Sequence, residues 1–440
     1  MHAAFAATTG LLSARDSQPR NPTVTDDWNI NVSQRIRRLP PYLFARINAL
    51  RDQKRREGVD IIDLGMGSPH DMPSTKIIDK LCEKAHDPRV HGYSQPPGGM
   101  PNLRLEVAKL YEKLYNVTLD PQKEVIATIG SKEGFSHMCL ALMGPGDTAV
   151  VGDPYFPIHA EAVALAGASV IQVPLGNDEG FLRRVAYVVE HLYPKPKLLI
   201  LNYPHNPTAM TVDSPDFFAE VVALAKKEGI MVIHDFAYGR TCFDGYVAPS
   251  FLQARGAKDV GVELITMSKP YNMAGWRIGF CVGNAEMVRA LATIKGYYDY
   301  GIFTPIQIAS IIAMRECDRD VRSQSTEYQA RRDVVVQGLT KAGWEVESPR
   351  ASMFVWAKVA ERHLAGQGTI DFALRLLDEA EVSLAPGRAF GENGEGYVSV
   401  ALVENEQRLR QAVRQIDRAL NKGVKAPSAT KLRKTGRKTK

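Results

Sequence analysis

Seven short apolar, β-branched runs between about residue 125 and residue 283 constrain this chain more than any other feature. They read VIATIG, TAVVGD, SVIQVPL, LLILNYP, IMVIHDF, ELITMSK and IGFCVG. Several lack the alternation of apolar and polar residues, as strands covered on both faces do. Helical patterns such as FFAEVVALAKKEG separate them. That order predicts an α/β fold, a large doubly wound domain with a mainly parallel sheet. Ligands of such sheets bind beyond the carboxyl ends of the strands. The residues with chemical potential fall there: GSKEG after the first run, DPYFP after the second, NYPHNPT after the fourth, HDFAY after the fifth and SK after the sixth.

Beyond residue 304 the pattern changes. A long helical stretch over 305–340 leads into GWEVESPRASMFVWAKV, which reads as two strands. A helix, two further strands (EVSLAP and YVSVALV) and a last helix (ENEQRLRQAVRQIDRAL) follow. This predicts a smaller α+β domain formed by 34–73 and 304–420. The large domain then spans 74–303, between an N-terminal extension (1–33) and a basic tail (421–440).

Composition narrows the functional classes. The chain has 440 residues, 45% hydrophobic and 24% charged, enough for two domains of ordinary globular character. No apolar run approaches the about 18 residues of a membrane span. Five scattered cysteines, never in a CxxC pair, read as reduced thiols of a cytoplasmic protein rather than disulfides or a metal site. The net charge of +6 is carried by the tail, whose eight Lys and Arg stand with no acid; the rest is near −2. The tail reads as disordered and solvated, with weak binding to an anionic polymer as the alternative; nucleic-acid binding is not expected. The N-terminal stretch MHAAFAATTGLLSARDSQPR lacks a basic segment before its apolar residues, so it fits a secretory signal poorly.

A lysine at the end of a buried strand loses solvation, which turns it into a nucleophilic amine suited to a Schiff base with an aldehyde. Alone, Lys269 reads more readily as a snorkelling surface lysine; its neighbours reverse the reading. Asp235 ends an apolar strand, where a carboxylate needs a cationic partner. A protonated pyridine nitrogen would serve, and so would a structural ion pair. Tyr238 offers a phenol to the same place, and Asn206 an amide able to hold a ring hydroxyl. Ser131 and Lys132 stand between a strand and a helix, where backbone N–H groups cradle phosphate; Thr266 and Arg277 could complete the cradle. His205 and His234 read as structural.

With these residues in order, the chain resembles the aspartate aminotransferase superfamily, the fold-type I enzymes of pyridoxal phosphate (PLP). GYSQPPGGMPNLR, GSKEG, NYPHNPT, HDFAYG and SKPYNMAGWRIGF carry the resemblance, which runs from about Arg35 to about Leu420. Within the superfamily it is most similar to the bacterial glutamate–pyruvate (alanine) aminotransferases, through IGSKEG, GDTAVVGDPYFPIH, YYDYGIFTP and ALVENEQRLRQAV. The resemblance implies amino transfer from an amino acid to a 2-oxo acid in two half-reactions. Lys269 would hold the cofactor and shuttle the proton, Asp235 would keep the ring nitrogen protonated, and Tyr238 and Asn206 would bind the ring oxygen. Phe156 would stack on the ring, and Ser131, Lys132, Thr266 and Arg277 would bind the phosphate. Tyr93 matches a tyrosine that reaches the phosphate of the neighbouring subunit, which implies a homodimer with shared active sites. Gly67 matches a glycine beside the substrate.

One position departs from the family. Its α-carboxylate arginine lies in a strand before the last helix, where this chain has Ser399. A serine offers one hydrogen bond in place of a charged fork. Three explanations stand: a variant blunted at this position, a replacement arginine for which Arg388 is the candidate, or a substrate that presents its carboxylate differently or has none. Besides aminotransferase, the same residues admit a PLP-dependent lyase or decarboxylase on the same fold, or a PLP-binding regulator. The regulator is disfavoured because the N-terminal extension is too short for a DNA-binding domain.

Overall fold

The computed structural model describes residues 32–421 except 41, 42, 95 and 177. The N-terminal extension, apart from its last two residues, and the tail after Asn421 lie outside the described residues. In chain order the strands are β1 (Ile62–Asp63), β2 (Val125–Thr128), β3 (Thr148–Asp153), β4 (Ser169–Pro174), β5 (Leu198–Leu201), β6 (Met231–Asp235), β7 (Gly261–Thr266), β8 (Gly279–Gly283), β9 (Glu345–Val346), β10 (Phe354–Lys358), β11 (Val382–Ser383), β12 (Ala385–Pro386) and β13 (Tyr397–Ala401).

Each of the seven apolar runs becomes a strand of one sheet, ordered β2-β8-β7-β6-β5-β3-β4. Only β8 runs antiparallel to its neighbours. The lack of alternation follows from helices on both faces. In β5, Leu199 and Leu201 enter one apolar core, while Leu198 and Ile200 enter the other. β4, at the edge, is largely half-buried or exposed, in contrast to the other six strands.

A second body holds the sheet β12-β13-β10-β9 and the parallel pair β1-β11. Its core joins Ile62 and Leu64 to Phe354, Phe372, Leu376, Val398, Val400 and Leu409. The helix Phe44–Arg56 docks here through Ile47, which packs with Ile61, Ala373 and Leu377.

Two expectations need correction. The stretch 305–340 is two helices, Thr304–Glu316 and Asp318–Lys341, broken at Cys317. Asp318 and Asp320 fall in the first turn of the second helix, where acidic side chains favour a helix start. The first helix, expected with the smaller domain, instead buries Ala309, Ile311, Ala313 and Met314 in the core of the large sheet.

Candidate active site

The carboxyl ends of β5, β6 and β7 open on a cavity of about 370 Å³. Its far wall comes from the second body: Phe44, Asn48 and Arg51 of one helix, Asp63 at the end of β1, Gly65 and Gly67 after it, and Ser383, Phe390 and Ser399. The size suits a small organic ligand, and the site lies where a doubly wound sheet binds one.

Eleven of the thirteen predicted site residues line this cavity, and ten of them can be followed from the phosphate end. Gly130 precedes the helix Ser131–Leu142 with φ 77°, a left-handed conformation, so Ser131 and Lys132 present the first N–H groups of that helix. A Cβ on Gly130 would collide with the Arg277 guanidinium, and one on Gly279 would meet Ser131 N at 2.8 Å. Glycine at both positions keeps a concave, donor-lined cradle. Arg277 Nη1 donates to Ala274 O at 2.9 Å. Thr266 Oγ1 donates to Ser268 Oγ at 2.9 Å and accepts from Ser268 N at 3.1 Å, which fixes the loop before Lys269.

Asp235 sits at the centre, buried at the end of β6. His159 Nε2 lies 3.0 Å from its Oδ2, while Oδ1 is buried with no hydrogen-bond partner among the described residues. An acceptor facing a cavity in this way asks for a donor from a ligand. Tyr238 is buried and hydrogen-bonded to the Asn206 side chain; burial first, and then the Asp235 charge, push its phenol far above the usual range. Asn206 is itself positioned: its N–H donates to Asn202 Oδ1 at 2.8 Å, while Asn202 Nδ2 donates to the Asp235 carbonyl at 2.7 Å. Asn202 thus ties the loop after β5 to the end of β6.

Lys269 Nζ donates to Gly67 O at 2.6 Å, across the cavity. Burial, reinforced by the nearby Arg277 charge and opposed by Asp235, lowers its pKa from 10.5 to about 8. A substantial fraction of this amine is therefore neutral at mildly alkaline pH. Gly67 must be small, because a Cβ would run into the Phe354 ring. Phe156 stands on the other wall, its ring 5.8 Å from that of His159 and 6.0 Å from Lys132 Nζ.

The remaining three fare differently. Ser399, in β13 beside Ala385 and Trp356, is buried and lines the cavity. Tyr93 does not line it; its ring is 80% exposed and packs 4.9 Å from Tyr300. Arg388 was the expected replacement for a carboxylate-binding arginine, and this needs correction. Its guanidinium pairs with Glu392 on the outer side of the loop, and it is absent from the cavity wall. The cause is local: a short 3-10 turn, Gly387–Phe390, points Phe390 inward and leaves Arg388 outward.

His205 and His234 serve structural ends. His205 Nδ1 bonds Thr208 Oγ1 at 2.8 Å, and burial holds its ring neutral with a pKa of about 3. His234 Nδ1 meets the buried Glu263 carboxylate at 3.1 Å. His159, Asn202 and Arg51 went unread in the sequence. His159 carried a signal, a histidine three residues after Phe156 at the start of a helix, which puts both on one side.

The buried, unpartnered oxygen of Asp235, the glycine-lined cradle and the amine of Lys269 together fit PLP. Comparison with known proteins agrees. The sequence model of the family "Aminotransferase class I and II" matches residues 59–416. The glutamate–pyruvate aminotransferase AlaC of Escherichia coli is 47% identical over 397 residues, covering 90% of this chain and 96% of that protein. An LL-diaminopimelate aminotransferase of Moorella thermoacetica is 42% identical over 391 residues, covering 89% and 98%. Substrate-bound BacF of Bacillus subtilis superposes with a TM-score of 0.82 at 34% identity, covering 89% of this chain and 98% of that one. A single mutant of Thermus thermophilus aspartate aminotransferase gives 0.81 at 27% identity, covering 89% and 100%.

Proposed function

This chain belongs to the aminotransferases of class I and II and is a PLP-dependent aminotransferase; on that premise we propose that it exchanges amino groups between alanine- or glutamate-like amino acids and their 2-oxo acids. The observation that carries the reading is the meeting of Lys269, Asp235, Tyr238 and Asn206 in one cavity beside a phosphate cradle. The 47% identity to a glutamate–pyruvate aminotransferase supports the choice of substrates.

When bound, PLP supplies an aldehyde that takes up the amino group and a ring that accepts electrons from the substrate α-carbon. Ser131, Lys132, Thr266 and Arg277 would hold the phosphate, and Phe156 would cover one face of the ring. Asp235, held by His159, would keep a proton on the ring nitrogen. Tyr238 and Asn206 would hold the ring oxygen. Lys269 Nζ, with its lowered proton affinity, would take the proton from the α-carbon and return it to the cofactor's aldehyde carbon. Gly67 lets the backbone approach the substrate beside Ser399.

We further propose a homodimer. Tyr93 is exposed in the single chain together with Tyr297, Tyr298, Tyr300 and Phe303, an aromatic surface suited to a second copy, across which Tyr93 would reach the partner's phosphate site. No described helix is long and apolar enough to cross a membrane. Five free thiols support a cytoplasmic site for the protein. For the domains we propose the division into 34–73 with 304–420, and 74–303, amended so that the helix Thr304–Glu316, packed on the large sheet, goes with the large domain.

The test is a half-reaction. The holoenzyme is mixed with L-alanine or L-glutamate without an oxo acid, and one equivalent of pyruvate or 2-oxoglutarate per site should form while the visible absorption of the cofactor changes. Pyruvate should reverse the change. Continuous release of ammonia with pyruvate, without an acceptor, would contradict the reading.

A further inference from the structure

Ser399 leaves the second-body wall of the cavity without a cation at the place where the family keeps one, and Arg388 faces away. The described cavity wall carries four cationic side chains: Arg51, Lys132, Lys269 and Arg277. Three stand on the cofactor side, at the ends of β2, β7 and the loop before β8. Arg51 is the fourth, and it comes from the opposite wall.

Sheet register places Arg51 at the Ser399 end. Ser399 pairs with Ala385, two residues after Ser383, and Ser383 pairs with Asp63. Asp63 Oδ2 accepts from Arg51 Nη1 at 2.9 Å, and Asp63 Oδ1 accepts from Gly65 N at 3.1 Å. Two adjacent strand pairings and one ion pair thus link Ser399 to Arg51. Arg51 shares its helix face with Phe44, Ile47 and Asn48, which line the same wall at helical spacing.

The guanidinium is oriented but not exhausted. Its Nε donates to Asp52 Oδ1 at 3.0 Å, and its Nη2 lies 3.0 Å from the same oxygen. A guanidinium has five N–H groups. With one engaged on each nitrogen, each terminal nitrogen keeps a second N–H for another acceptor. Asp63 is half-buried, with 17% of its side chain exposed, and Arg51 has 15%, so the pair is rigid and partly desolvated. A carboxylate meeting such a preset fork does not bear the cost of ordering a long flexible side chain.

We infer that Arg51, oriented by Asp63, is the cation that receives the substrate carboxylate in this protein, in place of an arginine at position 399. The inference rests on the amino-acid reading of the site given above and names the residue that makes it specific. It also assigns Ser399 a smaller part, a hydroxyl beside that carboxylate.

Two measurements on the holoenzyme test it. The first is the ratio of kcat/KM for L-alanine to that for ethylamine, the same molecule without its carboxylate, in the wild type, Arg51→Met and Arg51→Lys. Loss of one partner of a desolvated ion pair should lower the ratio about thirtyfold or more in Arg51→Met. Arg51→Lys should recover part of it. The second is the dissociation constant of propionate, followed through the cofactor's visible absorption, which should rise by a comparable factor in Arg51→Met. Circular dichroism and cofactor content show whether each variant is folded. If Arg51→Met fails to fold, Arg51→Lys and Asp63→Asn are read in its place, each expected to weaken propionate. A wild type with no preference for alanine over ethylamine would overturn the inference, as would an unchanged ratio or a loss that follows Lys132→Met alone. If the wild type transfers no amino group at all, the functional reading fails, and the propionate measurement still decides the role of Arg51.

Discussion

His159 Nε2 lies 3.0 Å from one oxygen of Asp235, and the other oxygen of the same carboxylate is buried with no partner among the described residues. Among the described residues, then, one side of the carboxylate is fixed by the protein and the other, without a partner, belongs to a residue that lines the cavity. His159 is 1% exposed and wedged against Phe135 and Phe156, so it acts as a rigid stop.

Asp235→Asn keeps the shape of this contact and removes the charge. Amino transfer should fall about a hundredfold or more, equivalent to about 3 kcal/mol in the barrier. His159→Ala leaves a buried acceptor unsatisfied, at about 1–3 kcal/mol, and should slow the reaction less than Asp235→Asn. Single-turnover rates with L-alanine separate the two.

Lys269 should give the apoprotein a distinct pH dependence. Its folded pKa, about 8, lies below the 10.5 of an unhindered lysine. Below the folded value the amine is protonated in both states, and burying the charge costs stability in full. Between the two values only the unfolded chain holds the proton, so raising the pH removes the cost and stability rises. Lys269→Met should therefore be more stable than the wild-type apoprotein at about pH 7, with the advantage shrinking as pH approaches 10.5. Urea unfolding across that range measures it. The rate of PLP capture by the wild type should rise through about pH 8 and level off above it.

Gly130→Ala should cost about 1–3 kcal/mol in stability, because its positive φ with an extended ψ is a backbone region that essentially only glycine adopts. The added methyl also displaces Arg277, so the dissociation constant of PLP should rise at least tenfold, about 1.4 kcal/mol. Fluorescence titration of the apoprotein checks it.

Arg388→Ser should do little. The Arg388–Glu392 pair is on the surface, where such pairs contribute about 0–1 kcal/mol. KM for amino acids should stay within about twofold of the wild type. A rise of more than tenfold would place Arg388 in the substrate site after all.

The large sheet was legible because its signal is local. Each strand is a short apolar run, and each chemically active group ends its own strand or follows it closely, as Asp235 ends β6 and Lys269 comes three residues after β7. The cofactor end of the cavity is made from such positions. The substrate end is not. Arg51 lies in FARINALRDQKRR, a helix so polar that only Ile47 is fully buried, and nothing in that stretch announces a cavity. Its meaning depends on Asp63, twelve residues on, and on a pairing of β1 with β11 across the chain. His159 meets Asp235 over 76 residues, and Asn202 bridges 33. The break at Cys317 leaves little trace because the buried apolar positions Met314, Cys317 and Val321 keep helical spacing across it, and only the two aspartates mark a new helix.

The pairing of Ile62 with Val382 also sets an order in time. A ribosome releases the chain from its N-terminus, and domains fold as their segments emerge. The seven strands of the large sheet are complete at Gly283, with the phosphate cradle and Lys269 among them. Residues 44–63 are made earlier still, yet they wait for a partner about a hundred residues beyond that point. The nascent protein can thus own a place for its cofactor before it has any means of choosing what that cofactor will act upon.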